Sequence, residues 1–186
     1  MEKGYLEVFE ETWEKTKNLI EKGFIKNIKI ENNRIILPYL DKKVEIDLKT
    51  KKFNPEVSEK EKILILHYIC KNKDTFSDEL ITFKNLINGN FYFPSIYSRV
   101  YVPLIEKYRE KPENFIEKML EIGGIKISEN IIKINVFPNV FFIFEVIPAD
   151  DEFPFDLKIY FNKRASDIFE IEDLVIIGEI IVSKIV

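Results

Sequence analysis

Hydrophobic residues recur along this chain with two different periods, and the switches between them mark its elements. Residues 4–22 carry Leu6, Phe9, Trp13 and Ile20 near one stripe of a helix, with Glu7, Glu10, Glu11, Glu14, Lys15 and Lys17 over the rest. Gly23 follows, where a helix needs a residue that tolerates positive φ. The period then drops to two. Ile28 and Ile30 flank Lys29, Arg34 to Leu37 return after Asn32-Asn33, and Val44, Ile46 and Leu48 alternate with Glu45 and Asp47. Asparagine accepts positive φ, so Asn32-Asn33 predicts the tight turn of a hairpin. The alternation predicts one buried and one wet face.

Ser58 and Glu61 form a capping-box pattern ahead of Ile63-Leu64-Ile65-Leu66-His67-Tyr68-Ile69-Cys70, a run apolar nearly all round and expected to be a central helix. Residues 74–103 hold many aromatics, with Gly89, Pro94 and Pro103 among them. Their periodicity is poor, and the pattern predicts an irregular packed segment. Short helices are expected over 103–109 and 112–122, the second opened by Pro112 and stopped by Gly123-Gly124. A second meander follows: Ile132, Ile134 and Val136 alternate with polar residues, and Pro138-Asn139 turn the chain. Val140 to Ile147 then reads as a central strand covered on both faces, and 155–161 return. An apolar helix over 173–186 closes the chain, with Glu170, Glu172 and Asp173 at its dipole-favoured end. Two antiparallel β-meanders, in one sheet or two, packed against four to six helices predict an α+β fold, read as a single domain over 1–186.

Composition narrows the function classes. A formal net charge of −4 argues against a nucleic-acid surface, which wants clustered lysine and arginine. The single cysteine, Cys70, leaves no intramolecular disulfide and no cysteine-held zinc or iron–sulfur site, and fits a reducing cytoplasm. No apolar h-region opens the sequence, and no run of about 18 apolar residues predicts a membrane span. Phosphate loops, the nucleophile elbow and HExxH are missing from the sequence, and Gly123-Gly124 lack GxGxxG spacing.

Three places can carry chemistry. The first is Pro148-Ala149-Asp150-Asp151-Glu152-Phe153-Pro154, an acidic connection between two strands. It is either a solvated turn or a carboxylate site, whether a hard-cation clamp or an acid/base pair. The second is His67, the only histidine, which shares a helix face with Ile63, Leu66 and Cys70. It is either a buried hydrogen-bonding residue or one half of a metal pair with too few partners. The third is Arg99, which lies among Tyr92, Tyr97 and Tyr101. It either captures a carboxylate or phosphate, or pairs internally with an acid such as Glu152.

Taken in order, Glu61-Lys62-Ile63-Leu64, His67-Tyr68, Ile81-Thr82-Phe83, Gly89, Phe91-Tyr92, Arg99, Pro103, Gly123-Gly124, Pro138, the acidic connection, Phe161-Asn162 and Glu172-Asp173 resemble a prokaryotic family labelled domain of unknown function 3786, over about residues 35–183. The resemblance implies that His67, Tyr92, Arg99, Asp151 and Glu152 belong to one polar site. It also implies a link to anaerobic redox or corrinoid metabolism, because some members carry an additional cluster-binding cysteine segment that this chain lacks. Asn162 stands where the family pattern tends to have an aspartate. The expectation is therefore an accessory protein. It binds a small anionic ligand or cofactor, with Arg99 as anchor, Tyr92 and His67 shaping the pocket, and Asp151 and Glu152 orienting the arginine. The alternatives are an interaction module docking onto a redox or methyl-transfer enzyme, and a metal-dependent enzyme using residues 150–152.

Overall fold

A computed structural model describes residues 2–25, 28–72 and 76–186. The chain divides into two compact units, residues 1–76 and 77–186. Its secondary structure is α+β, with two separate antiparallel sheets.

The first unit opens with helix α1, Glu2–Glu21. Its buried stripe is Phe9, Thr12, Trp13 and Thr16, while Leu6 is exposed. The stripe is thus partly threonine, and those hydroxyls close back onto the helix: Thr12 Oγ1 donates to the Val8 carbonyl and Thr16 Oγ1 to that of Thr12. A meander of β1 (Lys29–Glu31), β2 (Arg34–Tyr39), β3 (Lys42–Asp47) and β4 (Phe53–Asn54) follows. Asn32 and Asn33 hold φ of 48° and 62° in the β1–β2 turn, as the asparagine pair predicts. Helix α2, Glu59–Lys71, begins with the expected capping box between Ser58 and Glu61.

The second unit is built on a five-stranded sheet in the order β5-β9-β8-β7-β6. Its strands are β5 (Leu80–Ile81), β6 (Ile125–Ser128), β7 (Ile131–Phe137), β8 (Val140–Ile147) and β9 (Asp156–Asn162). Alternate residues Ile132, Ile134, Phe142, Phe144, Leu157 and Ile159 bury one face. Phe83, Phe142 and Phe161 meet within it, with ring centroids 5.1–6.5 Å apart. Strand β8 is central, as its apolar run predicts, but only one of its faces is fully covered: Ile143, Glu145 and Ile147 on the other are half-exposed.

Between β5 and β6 the chain is more regular than its sequence predicts. After a short 3₁₀ turn, Phe83–Asn85, helix α3 (Gly89–Ile96) runs through a π-helical turn at Tyr97–Tyr101 into α4 (Val102–Tyr108). Two prolines and a glycine disguise this segment as a loop. Pro94 stands within α3, and Pro103 follows the π turn, whose wider i→i+5 spacing accommodates a donor-less residue. Gly89 is required where α3 starts, since a Cβ there would lie 2.0 Å from the Phe83 carbonyl oxygen. Helix α5 (Pro112–Glu121) ends where Gly123 takes φ of 89°. The short α6 (Lys163–Ile168) and the apolar α7 (Ile171–Ile185) complete the unit. Among the described residues no helix is long and apolar enough to cross a membrane.

Candidate functional site

Arg99 projects from the π turn toward α7, and its charge is matched there. Its Nε donates to Glu179 Oε1 at 2.7 Å, while Nη1 and Nη2 grip both oxygens of Glu172 at 3.2 and 2.9 Å. Glu172 and Glu179 stand seven residues apart, two turns along one face of α7, which suits a planar fork reaching across both. Glu179 first and Glu172 second hold the guanidinium pKa above its ordinary value, outweighing desolvation. The counter-charge expected from Glu152 thus comes from α7. The sequence marks Glu172 only as an N-terminal helix acid, and Glu179 carries no motif. Gly178, beside Glu179, lets the helices approach: a Cβ there would meet Val100 Cγ2 at 3.0 Å.

The acidic connection is a self-capped turn. Asp150 Oδ1 accepts from the backbone N–H of Phe153 at 2.7 Å and of Glu152 at 2.9 Å, and these bonds hold its carboxyl below the usual aspartate range. Asp151 and Glu152 point into solvent. No hydrogen bond or ion pair among the described residues joins either side chain to Arg99. Tyr92 is 45% exposed and lines a different, polar cleft of about 630 Å³ with Asn85 and Lys163, whose ammonium pairs with Glu79 at 3.0 Å. His67 lies half-buried on α2 in the first unit, one turn before Cys70, whose Sγ is 3.1 Å from Thr16 Oγ1. Burial pushes the Cys70 thiol pKa up, which makes it a poor nucleophile. Among the described residues no three histidine, cysteine or acidic side chains converge as metal ligands.

What the turn does border is a cleft of about 840 Å³. It is lined by Ala149, Phe153 and Pro154 of the turn, by Ile147 of β8, and by Tyr97 and Ile105. The half-exposed face of β8 therefore has a use in Ile147. Tyr97 belongs to an aromatic ladder along the helix. It stacks on Tyr101 with centroids 5.5 Å apart and planes 17° off parallel, and Phe93 meets Tyr101 edge-on at 5.7 Å. Phe153 is 64% exposed at the rim, an unusual position for so large an apolar ring on an acidic turn.

Tyr97 and Asp156 also line a second cleft of about 310 Å³ beside β9, with Lys84, Phe93 and Lys158. It follows the outer edge of β9, where β5 pairs only with Phe161 and Asn162. The backbone donors on that open edge can be assigned. The Val146 N–H donates to Asn130, away from β9, so the N–H of its partner Leu157 faces outward. Asp156 Oδ1 meets that N–H at 2.8 Å, and two residues on the Ile159 amide faces the Tyr101 hydroxyl. Burial nonetheless dominates at Tyr101 and raises its pKa. Side chains thus close the edge where a further strand could add.

Asn162 is fully buried and wholly satisfied: Oδ1 accepts from the Phe141 N–H, and Nδ2 donates to the carbonyls of Ser77 and Asn139. It ties the segment before β5, the β7–β8 turn, β8 and β9 together, a use for its amide that a carboxylate could not fully copy. Arg164 and Asp173 are buried charged residues of this unit; each stands among other polar and charged residues in the sequence, so nothing there marks them as buried.

No curated protein and no solved structure matches the chain. The family described as Domain of unknown function (DUF3786) matches residues 26–184, and this protein belongs to it.

Proposed function

We propose that this protein is a binding module without catalysis of its own, and that its partner docks at the cleft between the acidic turn and the aromatic ladder. One observation carries the reading. The second unit spends its conspicuous guanidinium on an internal clamp, yet leaves Tyr97 and Phe153 open beside a cleft of about 840 Å³. Exposed aromatic rings around a concave surface are what interface anchors look like. A small anion at Arg99, as the sequence suggests, would have to displace two carboxylates, so the geometry favours docking over anion capture. The partner class suggested by the family resemblance, a redox or methyl-transfer enzyme, belongs to this proposal.

The test compares affinity capture from native extract by the intact chain and by Phe153→Ser and Tyr97→Ala. Both side chains are solvent-exposed, so the fold is expected to survive, as circular dichroism will verify. A partner retained by the natural chain and lost by both variants supports the docking site. A partner held equally by all three places docking elsewhere, and turnover of a small molecule abolished by Arg99→Ala would replace the reading with an enzymatic one.

A further inference from the structure

The cleft of about 310 Å³ beside β9 holds polar groups that are not spent on one another. Its apolar lining is the Phe93, Tyr97 and Tyr101 rings with Leu157 and Ile159. Tyr101 is only 6% exposed, and its hydroxyl faces the outward Ile159 amide. That contact engages an oxygen lone pair and leaves the hydroxyl its own proton. Among the described residues no side chain or carbonyl accepts that proton. Burial raises the Tyr101 pKa, so the group stays a donor at neutral pH. A buried donor without an acceptor costs free energy, which a ligand oxygen would recover.

The charged groups of the same lining are Lys84, Lys158 and Asp156. Lys84 rests over the Phe93 ring at 4.2 Å. Lys158 stands opposite Glu145 in the β8–β9 register, but Glu145 Oε2 takes the Tyr160 hydroxyl at 3.0 Å. Among the described residues no carboxylate pairs with either lysine. Asp156 already spends one oxygen on the Leu157 N–H. Two ammoniums against one carboxylate leave the lining a single positive charge, the complement of a monoanion.

We propose that this cleft binds a small aromatic carboxylic acid, its carboxylate taking the Tyr101 hydroxyl and the Lys84 and Lys158 ammoniums, and its flat body lying among the Phe93, Tyr97 and Tyr101 rings. Mostly apolar walls with a few convergent donors are the usual make-up of a ligand site, and charge-assisted bonds fix the orientation. Asp156 repels a second negative charge, which sets a carboxylate above a phosphate. None of the three donors lines the docking cleft, so the two sites are testable apart.

The experiment titrates the full chain, followed by amide chemical shifts, with 2-naphthoate, its neutral amide and 2-naphthyl phosphate, each to about 5 mM. Naphthoate is expected to shift Thr82, Lys84, Tyr101 and Ile159, and the neutral amide to bind at least roughly tenfold more weakly. Tyr101→Phe removes the donor and keeps the ring, and should weaken naphthoate by roughly tenfold; Lys84→Gln with Lys158→Gln should do at least as much. Phe153→Ser should leave naphthoate affinity unchanged while abolishing partner capture, which separates this site from the docking reading. The inference is overturned by any of four results: no shifts with naphthoate, equal binding of the amide, tighter binding of the phosphate, or unchanged affinity in both Tyr101→Phe and the lysine double variant.

Discussion

Arg99 carries the most consequential single contact in the second unit. Its side chain is 29% exposed and Glu179 is 26% exposed, so the pair is only partly screened, whereas Glu172 at 61% is largely solvated. Arg99→Ala leaves two carboxylates without their cation, and the expected loss is about 1–2 kcal/mol in urea unfolding. Arg99→Lys keeps the charge but cannot reproduce the fork, and is expected to restore less than half of that. A loss below a few tenths of a kcal/mol in Arg99→Ala would mean the clamp is ornamental. Asp150 gives a pH-dependent counterpart. Its folded pKa lies below the ordinary aspartate value of 3.8, so its contribution to the turn is complete above that value. It fades as pH falls through the folded pKa, in the range below 3.8. Carboxyl NMR should find the Asp150 midpoint below 3.8 in the natural chain; a midpoint at or above it contradicts the Asx-capped turn.

Helix packing turns on Gly178 and Val100. Alanine at 178 gains up to about 1 kcal/mol in helix propensity but brings a Cβ to 3.0–3.1 Å from both Val100 methyls. The two effects nearly cancel in the natural background. In Val100→Ala the obstruction is gone, so Gly178→Ala should be more favourable there by about 1 kcal/mol, a coupling that a double-mutant cycle reads directly. Equal effects in both backgrounds would mean that α7 does not need its glycine. The same segment marks the limit of what could be read before folding. Both meanders, the α2 capping box and the closing helix follow from period and caps, because those signals are local. Pro94 and Gly89 read as turn residues and Pro103 as the start of a separate short helix, yet the helix uses each at a permissive place, and only the partners across the fold determine that. The acidic connection was correctly placed between strands. Its neighbour Phe153 carries no signal in the sequence, because one exposed ring has no periodicity to betray it. Pairing Arg99 with Glu152 relied on nearness of function; the actual acids lie on α7, and the seven-residue spacing of Glu172 and Glu179 was the usable clue.

Across the whole molecule, the family match spans residues 26–184 while the compact units divide at residue 76, so the match crosses both units and leaves α1 outside it. The second unit has its own five-stranded sheet, its own phenylalanine core and every residue lining the proposed docking cleft. Its size lies near the commonest for an independent domain. Residues 77–186 expressed alone are therefore expected to give a dispersed amide spectrum and a cooperative thermal transition. Residues 1–76 bury Trp13, Ile35, Leu37, Val44 and Leu64, but a chain of that length hides a smaller share of its surface. That fragment should melt earlier, and Phe9, Trp13 and Phe53, which meet at centroid distances of 6.0–6.5 Å, should supply its fluorescence signal. Trp13 is the only tryptophan, so its emission reports the first unit alone. In urea, a tryptophan transition that precedes the loss of helix in the intact chain would follow from units that unfold in turn. Coincident transitions, together with a molten 77–186 fragment, would instead make the chain one cooperative body, and the docking cleft would then have to be studied in the full protein alone.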